Sequence, residues 1–252
     1  MKITLAKKYI PLQTQLSTYI DAFETSGTQF GDPGRNSIKL FDLQGEQINI
    51  KSFKVPNLVN QVVYNFFRKS KAQRSFEYAS KLLSLGIGTP TPIAFYERPT
   101  ILLFKESYYI SQHLNCDLTY RELTTNLEYP DSEAIIRAFT RFTFDLHEKG
   151  VNFLDHSPGN TLITKINDSY EFYLVDLNRM KFGNMDFKTR ITNFAKLTIH
   201  KSIIEIMSDE YAKCSGHDFT TIFKLMWEST ENFQMKYTRK SIIKKKLKFR
   251  IK

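Results

Sequence analysis

Three polar side chains between residues 155 and 176 are of types that bind a hard cation and accept a proton. Asp155 and Asn160 stand five residues apart in LHEKGVNFLDHSPGNTLI, and Asp176 ends the apolar run of FYLVDLNR. Carboxylate and amide oxygens suit Mg²⁺, a cation that keeps waters and phosphate oxygens in its shell. A carboxylate in a loop can also orient a hydroxyl group and accept its proton. The residue types therefore indicate metal-assisted transfer of a group to a hydroxyl.

The spacing of these residues matches the catalytic loop of protein kinases, in which an Asp, an Asn and a metal-binding Asp follow one another. A long helix ending in Leu-His-x-x-Gly precedes the loop, and a Pro lies between Asp155 and Asn160. In this pattern Asp155 orients the acceptor hydroxyl, and Asn160 and Asp176 ligate the Mg²⁺ of ATP. The alternative is structural: Asp155 would cap a turn and Asn160 would adopt a left-handed conformation.

A lysine and a glutamate nearer the N-terminus fit the same chemistry. Lys51 follows an alternating strand in INIKSFK, as the lysine of the V-A-I-K motif does. A lysine there binds the α- and β-phosphates of ATP and needs an acidic partner on the following helix. Glu77 is the predicted partner because it is the only carboxylate between Lys51 and Glu97. Lys54 is the rival lysine, but the alternation favours Lys51.

The stretch GDPGRNSI is a candidate for the loop that covers the phosphates. It contains Gly31 and Gly34 but does not match G-x-G-x-x-G. Backbone amides there would bind phosphate oxygens, and Arg35 would add positive charge. An ordinary turn explains the same residues equally well, and both interpretations stay open.

The elements around these residues predict a β-rich front part. SIKLFDL and QINIKSF alternate in polarity and flank Gly45, which predicts two half-buried strands joined by a turn. A helical stretch is expected from about Leu58 to Leu85, ending at Gly86. Further strands are predicted in GIGTPTPIAFYE, ILLF and YYISQHL.

The pattern changes near residues 114 to 120, where we place the boundary between two lobes. DSEAIIRAFTRFTFDLHEKG predicts a long amphipathic helix with Asp131 as N-cap and Gly150 as its end. After residue 184 the chain is expected to be helical. The predicted fold is α+β: residues 1–114 form an N-lobe with a nucleotide-binding sheet plus helix. Residues 115–252 form a mostly helical C-lobe with the catalytic loop, the metal site and a basic tail.

Most of the net charge of +10 lies in the C-terminal tail, residues 236–252, which contains nine Lys and Arg and no acidic residue. Ile, Leu and Phe are interleaved with these charges, so the tail could lie on an anionic membrane surface. A solvated terminal helix is the alternative, and both stay open. A basic tail could also bind nucleic acid, but no reader motif accompanies it, so no nucleic-acid partner is expected.

The cysteine pattern and the hydropathy argue against a disulfide-rich secreted protein and against a membrane-spanning protein. Cys116 and Cys214 are far apart and form no CxxC pattern, which argues against a disulfide scaffold or thiolate zinc site and suits a reducing compartment. The N-terminal residues lack the apolar run of a signal peptide. No stretch approaches the ~20 apolar residues of a membrane-spanning helix. The expected location is the cytoplasm.

The region from about Gly31 to Lys181 resembles the lipopolysaccharide core kinases, the Kdo/heptose kinase family of the protein-kinase-like superfamily. The similar segments are INIKSFKVPN, FEYASKLLSLGIGTPTPIAF, LHEKGVNFLDHSPGNTLI and YLVDLNRMKF. The resemblance implies transfer of phosphate from ATP, with Mg²⁺, to a sugar hydroxyl of the lipopolysaccharide inner core or another glycolipid. It also implies peripheral attachment to the inner face of the cytoplasmic membrane.

Several positions depart from the kinase pattern. Phe153 replaces the His of H-R-D, and Ser157 replaces the lysine two residues after the catalytic Asp, so either another cation stabilises the transferring phosphoryl group or the reaction is slower. Asp-Leu-Asn at 176–178 replaces D-F-G. No A-P-E motif follows, and the region after Arg179 is too short for a long activation segment, which favours a small or glycolipid acceptor. The alternatives are a RIO-like atypical protein kinase and a pseudokinase-type binding module.

Overall fold

Alternating strands in the front part of the chain form an antiparallel sheet. The computed structural model describes residues 1–32, 36–66 and 68–249. It divides into two units, the first comprising Met1–Asn115 with Leu174–Arg179 and the second Cys116–Tyr173 with Met180–Lys252. The sheet of the first unit has the strand order β1-β5-β6-β4-β3-β2. Its strands are β1 Lys2–Leu5, β2 Thr28–Phe30, β3 Asn36–Leu43, β4 Glu46–Phe53, β5 Pro92–Pro99 and β6 Phe104–Gln112.

The predicted turn at Gly45 is confirmed and joins β3 to β4. Leu43 pairs with Glu46, so Gln44 and Gly45 alone form the turn, and both have positive φ, 57° and 86°. This conformation matches the twist of a two-residue hairpin, and glycine adopts it without steric cost. The hairpin fixes the register of β4 between β3 and β6, and therefore the position of Lys51.

The helical stretch expected from about Leu58 to Leu85 consists of two helices, α2 Leu58–Phe66 and α3 Lys71–Ser84. Ser70 starts α3 because its hydroxyl accepts a hydrogen bond from the Gln73 amide at 3.0 Å. Helix α1, Gln13–Asp21, follows a 3₁₀ helix at Lys7–Leu12 and was not predicted from the sequence. Leu16 and Ile20 of α1 lie in the same buried core as β4 and β6.

The second unit contains helices and two small antiparallel sheets, β10-β9-β7 and β11-β8. Its strands are β7 Leu118–Thr119, β8 Val151–Phe153, β9 Thr161–Ile166, β10 Ser169–Leu174 and β11 Met180–Phe182. Its helices are α4 Tyr120–Thr125, α5 Ser132–Glu148, α6 Phe187–Thr192, α7 Lys201–Ser215 and α8 Phe219–Phe249, with 3₁₀ helices at Pro158–Asn160 and Asn193–Lys196.

The predicted ends of the long helix α5 are confirmed. Asp131 occupies the N-cap position as expected, but it has φ of 58° and its side chain makes no capping hydrogen bond. Its carboxylate contacts Lys165 at 3.5 Å and Tyr170 at 3.3 Å instead. Gly150 adopts φ of 69° just beyond the helix and donates its N–H to the His147 carbonyl. The helix therefore ends where β8 and the predicted catalytic loop begin.

The last helix, α8, is anchored at its start and exposed towards its end. Ile222 and Met226 are buried in the core of the second unit, whereas Met235, Tyr237 and the side chains up to 243 are mostly exposed. None of the helices in the described part of the chain combines the length and the hydropathy that a bilayer span requires.

Candidate active site

The lysine and the second aspartate of the predicted site form an ion pair in the first unit. Lys51 lies within β4 and pairs with Ile38 of β3 and Tyr109 of β6. Its Nζ atom is 2.9 Å from Oδ1 of Asp176. The Lys51 side chain is 15% exposed and that of Asp176 is 32% exposed. Folding thus brings together two predicted phosphate- and metal-binding groups that are 125 residues apart in the sequence.

The position of Asp176 is fixed by backbone bonds and by a neighbouring amide. The Leu174 N–H donates to the Gly88 carbonyl at 2.9 Å, and the Thr89 hydroxyl donates to the Leu174 carbonyl at 2.8 Å. Asp176 itself has φ of 57°, a left-handed conformation that Asp tolerates better than most residues. The Asn178 amide donates to Oδ1 of Asp176 at 2.6 Å. The Asn that replaces the Gly of D-F-G therefore orients the carboxylate.

The donors around Asp176 fit a hard divalent cation. Among the described residues, Lys51 and Asn178 donate to the same oxygen, Oδ1, which leaves Oδ2 as the oxygen that could ligate Mg²⁺. Across the residues that the structure describes, no three or more His, Cys, Asp or Glu side chains cluster in a way that could hold a metal ion. Mg²⁺ is commonly bound by one or two protein carboxylates, with waters and substrate phosphates completing its shell, and Asp176 could supply one of these ligands.

Glu77, the predicted partner of Lys51, has other partners in the structure. Its carboxylate binds Lys69 Nζ, at 2.8 Å and 2.9 Å for its two oxygens, and accepts a hydrogen bond from Gln73 at 2.9 Å. Lys51 pairs with Asp176 instead. Gln73 lies one turn before Glu77 in α3 and Lys69 lies just before the helix, so local contacts satisfy this carboxylate. The role of Glu77 as partner of Lys51 stays a prediction.

The candidate phosphate-covering loop is described only in part. Gly31 follows β2, is exposed and has φ of 70°, and an added Cβ would meet no atom within 4 Å. Gly34 and Arg35 lie outside the described residues. Lys54, the rival of Lys51, is exposed just beyond the end of β4. Its position agrees with the preference for Lys51.

The two loop residues of the predicted site are bonded to each other in the second unit. Asp155 follows β8, and Asn160 ends the 3₁₀ helix Pro158–Asn160. The Asn160 side-chain amide donates to the Asp155 carbonyl at 2.8 Å, and its backbone N–H donates to the Ser157 carbonyl at 2.9 Å. Asn160 is not left-handed, against the structural alternative. Because Nδ2 is used within the loop, Oδ1 of Asn160 is the atom suited to ligate a cation.

A buried hydrogen-bond network supports this loop from behind. The side-chain nitrogen of Asn193 donates a hydrogen bond to the Phe153 carbonyl at 2.9 Å, which fixes the orientation of the amide. The Oδ1 atom of Asn193 then points towards two histidine rings. Nδ1 of His156 and Nε2 of His147 each lie 3.2 Å from that oxygen and must donate to it. Nδ1 of His147 is therefore left to accept the Tyr211 hydroxyl at 3.0 Å. This network connects α5, the predicted catalytic loop and α7.

Both histidines of the network are neutral at physiological pH. Burial lowers the pKa of His147 to about 4 and that of His156 to about 3, although the Asn193 oxygen acts in the opposite direction. His156 directly follows Asp155 in the chain, but its side chain is fully buried and faces the core. Its ring lies among the rings of Phe139, Phe153 and Phe194. Phe153, which replaces the H-R-D histidine, is one of these buried neighbours.

Lys196 is a cation at the predicted catalytic loop that was not predicted from the sequence. It ends the 3₁₀ helix Asn193–Lys196, and its side chain is 29% exposed. Its Nζ atom donates to the Leu154 carbonyl at 2.5 Å and lies 3.5 Å from Oδ1 of Asp155. The only signal in the sequence was the uncharged Ser157. Lys196 is 41 residues from Asp155, so no local spacing pointed to it.

Comparison with known proteins identifies the fold. No family model and no curated protein matches the sequence. A solved structure described as WaaP in complex with acyl carrier protein is similar to this chain with a TM-score of 0.64 and 15% sequence identity. The similarity covers 95% of this chain and 99% of that chain. It shows a protein-kinase-like fold, and it confirms the predicted α+β class with a β-rich front and a helical back.

Proposed function

We propose that this chain is an ATP- and Mg²⁺-dependent phosphotransferase that phosphorylates a sugar hydroxyl of the lipopolysaccharide inner core. The observation that best supports a kinase is the 2.9 Å ion pair between Lys51 and Asp176 within a protein-kinase-like fold. A pseudokinase-type scaffold that only binds partners would not need this pair together with Asp155 and Asn160. The residues support a working phosphotransferase.

The residues of the first unit would bind the nucleotide. The ammonium of Lys51 would bind the α- and β-phosphates, and Oδ2 of Asp176 would hold the cation. Bound Mg²⁺ would neutralise charge on the phosphates and on the leaving ADP. Asn178 would keep the Asp176 carboxylate oriented through its 2.6 Å bond to Oδ1. ATP binding would then separate Lys51 from Asp176, because each acquires a partner of opposite charge.

The residues of the second unit would act on the acceptor and on the metal. Asp155 would orient the sugar hydroxyl and accept its proton while the hydroxyl oxygen bonds to the γ-phosphorus. The bond from that phosphorus to the β,γ-bridging oxygen breaks, ADP leaves, and the proton passes from Asp155 to water. Asn160 would ligate the cation through Oδ1 while its Nδ2 holds the Asp155 carbonyl. In Asn160, the loop uses Nδ2, so Oδ1 is the atom that would bind the cation.

The nature of the acceptor is inferred from sequence resemblance and from the short segment after Asp176. Only a few residues separate β11, Met180–Phe182, from α6, which begins at Phe187. This segment is too short to form the activation segment and peptide-docking platform of the regulated protein kinases. The segments that resemble the lipopolysaccharide core kinases favour a glycolipid sugar instead, and a RIO-like protein kinase remains the alternative.

The C-terminal tail would hold the enzyme near such an acceptor. The described end of α8 exposes Tyr237, Ile242 and Ile243 among Lys236, Arg239 and Lys240. Basic and apolar side chains on one helix favour peripheral binding to anionic lipid. We propose this attachment for the inner face of the cytoplasmic membrane, where the acceptor would be made.

The test is phosphate transfer from MgATP by the purified protein to purified lipopolysaccharide core, followed by mass spectrometry of the product. A gain of one phosphate that is lost in Asp155→Ala and Asp176→Ala supports the proposal. A parallel reaction with a generic protein substrate separates the two kinase readings. Phosphate on the protein substrate and none on the lipopolysaccharide would favour the RIO-like alternative, and no transfer to either would favour a scaffold.

A further inference from the structure

The predicted catalytic loop lacks the lysine of the kinase pattern, and Lys196 of a nearby 3₁₀ helix lies beside the loop. Ser157 stands two residues after Asp155, where the kinase pattern has a lysine. We propose that Lys196 provides this positive charge from outside the loop, as a positioning residue that holds Asp155 and its backbone in place for phosphoryl transfer. The inference rests on the proposed function, because it assigns a role within the same reaction.

Two contacts of one ammonium group connect Lys196 to the loop. Its Nζ atom donates to the Leu154 carbonyl at 2.5 Å, and the same atom lies 3.5 Å from Oδ1 of Asp155. The side chains of Lys196 and Asp155 are 29% and 30% exposed. Because both are half-buried, water screens their attraction less than it would on an open surface. The ammonium therefore acts on the carboxylate and on the backbone just before it.

The helix that bears Lys196 is held firmly against the loop. Phe194 and Leu197 on either side of Lys196 are buried in the core of the second unit. Asn193, at the start of the same 3₁₀ helix, donates to the Phe153 carbonyl and accepts from His156. Bonds from this helix thus meet the chain on both sides of Asp155. A cation presented in this way loses little freedom when it acts, which is the condition for effective electrostatic preorganisation.

The charge would matter most during the transfer itself. As the hydroxyl oxygen bonds to the γ-phosphorus and its proton moves to Asp155, the carboxylate must keep one orientation. Lys196 would hold Oδ1 through its positive charge and fix the Leu154 carbonyl through a hydrogen bond. Lys196 would thereby do from 41 residues away what the loop lysine does locally.

The first test compares Lys196→Met and Lys196→Arg with a matched control. MgATP and purified lipopolysaccharide core are the substrates, and kcat, KM for ATP and thermal stability are measured. We expect Lys196→Met to lower kcat by about 100-fold with KM for ATP nearly unchanged, because the loss is felt mainly in the transition state. Lys196→Arg should recover much of the rate. Lys188→Met, which removes an exposed lysine on α6, should behave like the wild type.

The second test moves the lysine back into the loop. Ser157 is half-exposed, and its bond to the Asn160 N–H uses the backbone carbonyl, so a longer side chain there leaves that bond intact. Ser157→Lys in the Lys196→Met background should raise kcat by about tenfold or more, as expected when a lost electrostatic stabiliser is replaced. A merely structural Lys196 would not be rescued in this way.

The outcomes separate this inference from the proposed function. Wild-type activity with an unimpaired Lys196→Met variant overturns the role of Lys196 alone. The role of Lys196 is also overturned if Lys196→Met lowers kcat together with the melting temperature and Ser157→Lys does not restore kcat. A wild-type protein that transfers no phosphate at all overturns both. A folded, slow Lys196→Met variant that Ser157→Lys rescues supports the inference.

Discussion

Acidification should lower the stability of the folded protein through the two buried histidines behind the predicted catalytic loop. Burial lowers the pKa of His147 to about 4 and that of His156 to about 3, whereas histidine in an unfolded chain has a pKa near 6.5. The unfolded chain therefore binds more protons than the folded chain below about pH 6.5. The stability from these neutral rings is fully present above that pH and is lost as the pH falls towards the folded-state pKa values.

The size of the effect follows from the two shifts. At about pH 5 the folded rings are still neutral, and each unfolded histidine has gained about 2 kcal/mol from protonation, since one pKa unit corresponds to about 1.4 kcal/mol. The two rings together should lower the free energy of unfolding by about 4 kcal/mol between about pH 7.5 and pH 5. This is a large fraction of the roughly 5–15 kcal/mol that stabilises a typical domain.

Urea unfolding of the wild type and of His156→Phe, at the two pH values, measures this contribution. Phenylalanine suits the site because the rings of Phe139, Phe153 and Phe194 surround His156. The variant loses the bond to Asn193 and should be somewhat less stable at neutral pH. Its loss of stability on acidification, however, should be about 2 kcal/mol smaller than that of the wild type.

His217 is the control for this experiment because its side chain is exposed on the same unit. His217→Asn should lose as much stability on acidification as the wild type does. If His156→Phe and the wild type lost equal amounts between the two pH values, the buried neutral state of His156 would be refuted.

Three further predictions address the proposed site and the tail. Lys51→Met should lower kcat/KM at least about 100-fold because it removes a phosphate-binding charge, whereas Lys54→Met, just beyond β4, should change it little; equal losses in steady-state assays would reject the choice of Lys51. Asn178→Leu should weaken Mg²⁺ activation by releasing the Asp176 carboxylate, seen as a higher Mg²⁺ concentration for half-maximal rate; an unchanged Mg²⁺ titration would contradict this role. Deleting residues 236–252 should weaken sedimentation with anionic liposomes most strongly at low salt, while the core contacts of α8 remain; unchanged sedimentation would remove the membrane role of the tail.

The parts of the fold that follow from local pattern were predictable. Alternation around Gly45 gave the β3–β4 hairpin, and the 3.6-residue periodicity before Gly150 gave α5 with its ends. The hairpin fixes Lys51 in β4, and α5 ends just before the loop that contains Asp155. Asp155, Asn160 and Asp176 could be named as candidates because they lie close together in the chain and their spacing matches the kinase pattern.

The contacts between distant segments were not predictable from the sequence. The acidic partner of Lys51 was expected on the next helix, but local partners satisfy Glu77 and the structure pairs Lys51 with Asp176. The break before α3 depends on one hydroxyl, that of Ser70, within an otherwise continuous helical pattern. Lys196 reaches the loop only because the core fixes its 3₁₀ helix. Such pairings depend on tertiary packing, for which periodicity gives no signal.

Transfer of the γ-phosphate from labelled ATP, measured with and without Mg²⁺, tests the central claim most directly. The wild type should move label onto lipopolysaccharide core only when Mg²⁺ is present, and Asp155→Asn and Asp176→Asn should each reduce that transfer by at least about 100-fold while remaining folded. Transfer that persists in both folded variants, or that needs no divalent cation, would contradict the account.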